Sequence, residues 1–274
     1  MIRTKVGRMT YLTEFDNISE MVQFIKQNKP KQRFIDKVGG PDSEDTSSYF
    51  VRNTKTNCYA DAEELLFHGW EHGAIEIKNK VDCLNTEVGL KQKTVYDVQG
   101  FQCSVPRYLQ GIPTNMVNKK AIPVKNKIVT INKLATYGWN VEPQTIITES
   151  VKVLQLVNRL EKQGYRVNLN VMFAAKKRNA SIIKLKIKSA SQRLNIKQLA
   201  FPLVHPSMLR RIIFAVWERT EECDTDGFEY GYGCPMSYES LKQYIKEGEY
   251  IIPNVLYEKE IKNIELFKVK HNNI

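Results

Sequence analysis

The chain has 274 residues, 42% of them apolar and 10% aromatic, enough to bury a core in one large domain or two small ones and too apolar for global disorder. Its 41 Lys and Arg outnumber 30 Asp and Glu, and the net charge of +11 favours anionic partners. No run approaches roughly 18 uncharged apolar residues, the N-terminal MIRTKVGRMTYLTEFDN has no apolar h-region, and five scattered cysteines show no Cys-x-x-Cys spacing, so neither a membrane span, a secretory leader nor a disulfide framework is expected.

Phe15 to Lys26 predicts a first helix, with Ile18, Met21, Val22 and Ile25 on one face and Asn17 or Ser19 as its cap. Lys29 to Ser48, punctuated by Gly39-Gly40-Pro41-Asp42, reads as a loop. A second helix is expected from Tyr59 to His68, with Asn57 as its capping candidate and glycines 69 and 73 breaking it on either side of Trp70. Val95 to Met116 carries Gly100, Pro106, Gly111 and Pro113, too much punctuation for a long element; it reads as a connector with a short helix near Arg107 to Gln110.

Lys127 to Leu134 is rich in β-branched residues and predicts a strand. A helix then begins near Pro143 and stops at Gly164, its stripe of Ile147, Val151, Leu154, Val157 and Leu160 widened by Ile146, Val153 and Leu156. Arg166 to Phe173 and Ser181 to Lys188 both alternate, and the short basic turn between them makes them an antiparallel hairpin. Asn195 to Glu218 predicts a short helix, a proline break and a strong helix capped by Ser207, with Arg210 and Arg211 on its exposed side. An acidic loop follows from Glu221 to Pro235, then an amphipathic helix from Tyr238 to Lys246 and a last strand from Ile261 to Val269.

Charge is concentrated in the middle of the chain. Lys119 to Arg211 holds 19 Lys and Arg against Glu142, Glu149 and Glu161, a net +16 that leaves the flanks acidic. Lys176, Lys177 and Arg178 at the hairpin tip, the row Lys184, Lys186 and Lys188, and the pair Arg210 and Arg211 form the candidate binding surface, suited to phosphate contacts without base readout. The competing explanation of the lysine row is protection of an exposed sheet edge. Weaker candidates are His68 and His72, spaced four apart between Cys58 and Cys83, as metal ligands. His205, between two prolines, and Asp97 are candidates for catalysis; Asp224 and Asp226 are candidates for holding a cation. Gly-rich phosphate loops and a nucleophile elbow are absent from the sequence.

Three segments, DAEELLFHGWEHGA (Asp61 to Ala74), Tyr96 to Met116 and LAFPLVHPSMLRRIIFAVWE (Leu199 to Glu218), together resemble an uncharacterised family of tailed-bacteriophage proteins. That resemblance implies a phage origin and no assigned activity; with neither span nor leader expected, the expected location is the host cytoplasm or the virion. Lys127 to Trp217 is also similar to part of a von Willebrand factor A-type fold, in which a metal is held by Asp-x-Ser-x-Ser after the first strand. Here that position reads TINKLATYG, without the Asp or the serine pair.

The expected fold is α/β: a partly parallel, helix-covered sheet of von Willebrand A or Rossmann type over residues 119–274, with an antiparallel edge hairpin, preceded by a helical and irregular region over 1–118. The expected role is non-enzymatic binding of nucleic acid or an acidic protein, with no cofactor. A virion structural or assembly component ranks second, and a hydrolase or nuclease-like enzyme using His205 third.

Overall fold

The computed structural model describes residues 1–7, 10–31, 48–82, 92–121, 127–138, 141–176, 179–220, 234–254 and 267–268. In chain order its elements are β1 (Ile2–Gly7), β2 (Thr10–Phe15), α1 (Ile18–Gln27), α2 (Ser48–Thr54), α3 (Tyr59–His68), α4 (Glu71–Asp82), β3 (Gln92–Asp97), β4 (Gln102–Cys103), α5 (Val105–Leu109) and β5 (Met116–Ala121). The second half adds β6 (Ile128–Leu134), α6 (Pro143–Lys162), β7 (Arg166–Lys176), β8 (Ala180–Lys188), α7 (Ile196–Val204), α8 (Met208–Trp217), β9 (Cys234–Pro235), α9 (Tyr238–Leu241), β10 (Tyr250–Ile252) and β11 (Phe267–Lys268).

The fold is α/β, as the sequence predicts. The main sheet runs β1-β2-β8-β7-β6-β10-β11, with β9 pairing the far end of β7. The β6·β7, β6·β10 and β2·β8 pairs are parallel; β7·β8, β1·β2 and β10·β11 are antiparallel. Period-two alternation sorts the strands onto two faces. Ile131, Val167, Leu169, Val171, Phe173, Ile183 and Leu185 join one core with the apolar sides of α1, α3, α4, α6, α7 and α8. Leu134, Met172, Ala174, Ile182 and Ile251 turn the other way and pack under Met236, Leu241 and Ile245.

Local chemistry accounts for the helix ends. Asn17 Oδ1 accepts from Glu20 N at 2.8 Å and Glu20 Oε2 accepts from Asp16 N at 2.8 Å, a reciprocal cap for α1. In α3 the cap is Cys58 rather than Asn57, because Asp61 reaches back to accept from both Asn57 N and Cys58 N. Pro143 opens α6, and Gly164 at φ +89° turns the chain after it. Ser207 does not cap α8; that helix starts as a π-helix, Met208–Ile213, and the Ser207 hydroxyl serves Thr54 O at 2.6 Å instead.

The structure corrects two boundaries. β1 and β2 extend the sheet beyond β8, and Met21, Val22, Tyr59, Ala62, Leu66 and Ile77 share one core with Ile131 and Val171. The N-terminal region through α4 is therefore part of the α/β body, with no break at residue 118. The β7–β8 hairpin is interior; the antiparallel hairpin at the sheet edge is β1–β2. Only Gly69 breaks the chain near Trp70, since Gly73 lies inside α4 with its Cα against the Trp70 ring. The acidic loop from 221, the loop around Gly39 and most of the last predicted strand lie outside the described residues. The helix predicted to Lys246 is a single turn, Tyr238–Leu241, continued by a 3-10 turn.

Residues 92–121 form a second sheet of order β3-β5-β4. None of its described residues is buried, and neither core cluster includes one.

Candidate functional sites: paired lysines and an aromatic sheet

Most of the predicted basic surface is neutralised within the fold. Because β2 runs parallel to β8 with Glu14 opposite Lys184, it brings its own carboxylates to the lysine row. Lys184 Nζ lies 3.4 Å from Glu14 and 3.7 Å from Glu249, and Lys186 Nζ lies 2.6 Å from Asp16, whose carboxyl it holds below the usual range. A bulge between Leu169 and Asn170, where Leu169 pairs Lys188 and Asn170 pairs Lys186, rotates Lys188 onto the helix face. There it is buried, 2.5 Å from Glu161 of α6, and donates to Val167 O and Gln192 O. The row is thus neither a free phosphate-binding ladder nor a protected edge. Lys176 is exposed at the end of β7, while Lys177 and Arg178 lie outside the described residues.

Arg210 and Arg211 are buried rather than exposed. Arg210 donates to Asn53 O at 2.7 Å and Val141 O at 3.2 Å. Arg211 donates to Thr56 Oγ1 at 2.8 Å, Thr56 O at 2.9 Å and Asn57 O at 3.0 Å. Arg219, which the sequence reading did not single out, donates in the same way to Ile25 O and Asn28 O, both at 2.9 Å. A guanidinium presents several donors in a rigid fork, so it satisfies carbonyls that no helix or ladder uses. These arginines pin α8 to the segments after α1 and α2.

His205 is 4% exposed, stacked on Phe201 with centroids 4.9 Å apart and edge-on to Trp70 at 4.9 Å. Its Nδ1 accepts from Ser207 N at 3.2 Å, and burial pushes its pKa down to about 4. The ring is a neutral packing element. Asp97 ends β3 in the other sheet and accepts from Val98 N at 2.8 Å. His68 and His72 are exposed and separated by Gly69, whose φ of +86° ends α3. Cys58 donates its thiol to Asp61, and no group of three or more His, Cys, Asp or Glu able to hold a metal occurs among the described residues. Cys83, Asp224 and Asp226 lie outside them.

The small sheet is where the sequence reading missed most. Strand β5 pairs β3 from Asn118 opposite Val95 to Met116 opposite Asp97, and β4 lies on its other side. Gly100 permits this: a Cβ there would come 2.1 Å from Val117 O. Tyr96, Val98, Phe101, Val105, Tyr108 and Leu109 are all at least half exposed, from 50% at Tyr96 to 79% at Leu109. Cations lie over two of the rings: the Arg107 guanidinium is 4.4 Å from the Tyr96 centroid, and Lys119 Nζ is 5.5 Å from that of Phe101. Arg107 is itself fixed by Thr114 O at 3.0 Å. With Lys93 and Lys120 against Asp97, residues 92–121 carry a net +3.

Fold and sites together define a two-sheet α/β protein whose internal lysines and arginines are structural and whose smaller sheet, with its turn and α5 helix, exposes Tyr96, Val98, Phe101, Val105, Tyr108 and Leu109. The chain belongs to the family described as a domain of unknown function (DUF7192), whose model matches residues 3–271 and so spans both sheets. No curated protein and no solved structure matches it. Among the described residues no single helix is long and apolar enough to cross a membrane; α7 and α8 pass jointly in composition, but they are bent by 64° and buried in the core.

Proposed function

We propose that this protein is a non-enzymatic nucleic-acid-binding protein that takes single strands on the β3-β5-β4 sheet. The observation that carries the reading is the interleaving of exposed Tyr96, Phe101 and Tyr108 with Arg107 and Lys119 on the small, positively charged sheet and its α5 helix. Aromatic faces stack on bases of any sequence, while fixed cations meet phosphates. The whole-chain charge of +11 supports attraction to a polyanion over a long range. Single strands are favoured over a duplex because the lysine row is paired and stacking rings are present on the smaller sheet and its helix.

Fluorescence anisotropy with labelled oligothymidylate, oligouridylate and a duplex at low and high salt tests this. Single strands should bind with a steep salt dependence, and Tyr96→Ala, Phe101→Ala or Tyr108→Ala should each weaken binding by about tenfold, a stacking contact being worth ~1–3 kcal/mol. Lack of oligonucleotide binding at low salt, or binding that ignores all three substitutions, refutes the proposal. The aliphatic Val98, Val105 and Leu109 favour a second reading, the virion component implied by the phage resemblance. Concentration-dependent self-association in sedimentation velocity, abolished by Leu109→Asp, would select it over nucleic acid.

A further inference from the structure

The polar half of the main sheet's second face carries a second site, independent of the aromatic sheet. Toward one end of β6, β7 and β8 that face is apolar and covered by the 236–245 segment. Toward the other end, the same strands present Thr130, Asn168, Asn170, Lys184 and Lys186, and these line an open cleft of about 250 Å³. Amides in the interior of a central strand are poor choices for sheet stability. Here they are buried and ordered: Asn170 Nδ2 donates to Asn132 Oδ1 at 2.9 Å, and Asn132 Nδ2 to Glu249 Oε2 at 2.8 Å. Asn170 is 4% exposed and lines the cleft beside Thr130 and Asn168.

The walls carry both signs of charge. Glu14, Asp16 and Glu249 face Lys184, Lys186 and Lys246, so the lining is neutral overall. Lys184 stands between Glu14 and Glu249 at 3.4 and 3.7 Å, longer than a closed charge-assisted hydrogen bond. A simple anion entering this cleft meets three carboxylates, and a simple cation meets three ammonium groups. Carbohydrates want an exposed ring to stack on, and the one aromatic among the described lining residues, Phe15, is 2% exposed. A ligand carrying both an ammonium and a carboxylate exchanges each internal ion pair for an equivalent external one while using the amide floor for hydrogen bonds.

We propose that this cleft binds a compact zwitterion, a free α-amino acid or the backbone of a short peptide. Isothermal titration and thermal unfolding of the full chain should be run against single amino acids, dipeptides, and the matched N-acetyl and amide derivatives. Glucose, inorganic phosphate, acetate and ethylamine serve as controls. At least one zwitterion should bind saturably and raise Tm, and blocking either of its charges should weaken it at least tenfold. Asn170→Leu, which fills the floor, and Glu249→Gln, which keeps the shape and removes a charge, should each weaken it to a similar degree. Unliganded Tm of each variant separates loss of the site from loss of the fold, and Tyr96→Ala should leave zwitterion binding unchanged. The proposal is overturned if no zwitterion binds saturably, if a control binds as tightly, or if binding is indifferent to both cleft variants. Binding by dipeptides alone would assign the peptide source, and binding by amino acids alone the free one.

Discussion

Removal of the Glu149 carboxylate is the sharpest probe of how this fold handles internal charge. Lys133 follows the helix-facing side of β6, between Ile131 and Ala135, so alternation drives it into the core. Its Nζ lies 2.5 Å from Glu149 Oε1 and donates to Pro253 O at 2.9 Å, while Tyr137 OH donates to Glu149 Oε2 at 2.8 Å. The two ionic side chains are 0% and 1% exposed. Burial lowers the lysine pKa and Glu149 opposes that shift. Glu149→Ala therefore strands an ammonium without water or a counter-charge, a change that costs about 3–5 kcal/mol. At ~2–4 °C per kcal/mol for a chain of this size, Tm should fall by roughly 6–20 °C. Because the folded Lys133 then holds its proton less well than the unfolded one, the unfolded state binds more protons and stability should partly recover as pH rises toward about 10. The triple variant Lys133→Met, Glu149→Leu, Tyr137→Phe removes the three interacting side chains at once, so that only Pro253 O loses a donor, and should cost far less than Glu149→Ala, as replacement of a buried ion pair by packed apolar groups often does. Urea denaturation followed by circular dichroism gives the numbers. A loss below about 1 kcal/mol in Glu149→Ala, or an equal loss in the triple variant, would refute the argument.

Two other substitutions test neighbouring parts of the core. His205 has a folded pKa of about 4 against an ordinary 6.5, so the unfolded chain takes up a proton between those values and the folded chain does not. Its effect on stability should be absent above pH 6.5 and grow to about 3 kcal/mol of destabilisation by pH 4, and His205→Phe should flatten that difference when urea midpoints are compared at pH 7, 5 and 4. Arg211→Ala should cost roughly 1.5–3 kcal/mol and raise amide exchange around Thr56 and Asn57, with oligonucleotide affinity unchanged; lost binding with an intact fold would return Arg211 to the interface.

The strongly periodic elements were readable because a single rule decided each. The stripe from Ile146 to Leu160 and the alternation from Val167 to Phe173 bury as the sequence predicts. The Asn17 cap and the Gly164 stop are where local backbone chemistry puts them. What failed depended on partners distant in sequence. β1 and β2 are short and half polar; β2 joins the sheet by pairing with β8, some 170 residues away, and β1 by pairing with β2. The small sheet was hidden by Gly100, Pro106 and Gly111, residues that end elements in isolation but here allow close strand approach and tight turns. Exposed aromatics at 96, 101 and 108 were visible in the sequence; their placement on β3, the turn before β4 and α5 of one small sheet unit was not, because no periodicity links them.

The basic block shows why net charge locates a function poorly. A count of +16 treats every lysine and arginine as solvent-facing, yet Lys133, Lys188, Arg210 and Arg211 are buried and Lys184 and Lys186 stand beside carboxylates. Four of those partners, Glu14, Asp16, Glu149 and Glu249, are split between the block and both flanks, so the acidic flanks and the basic middle neutralise one another across the sheet. A buried pair of this kind costs little to replace whole by apolar groups and much to break by removing one member, which makes it a marker of architecture more than of binding. The charge that remains informative is the smaller surplus on residues 92–121, because Arg107 and Lys119 there lie on exposed rings instead of on carboxylates. Charge reversal at Arg107 and at Lys186 therefore tests the two kinds of cation separately: the first should weaken oligonucleotide binding in the anisotropy assay with Tm unchanged, and the second should lower Tm through the lost Asp16 pair.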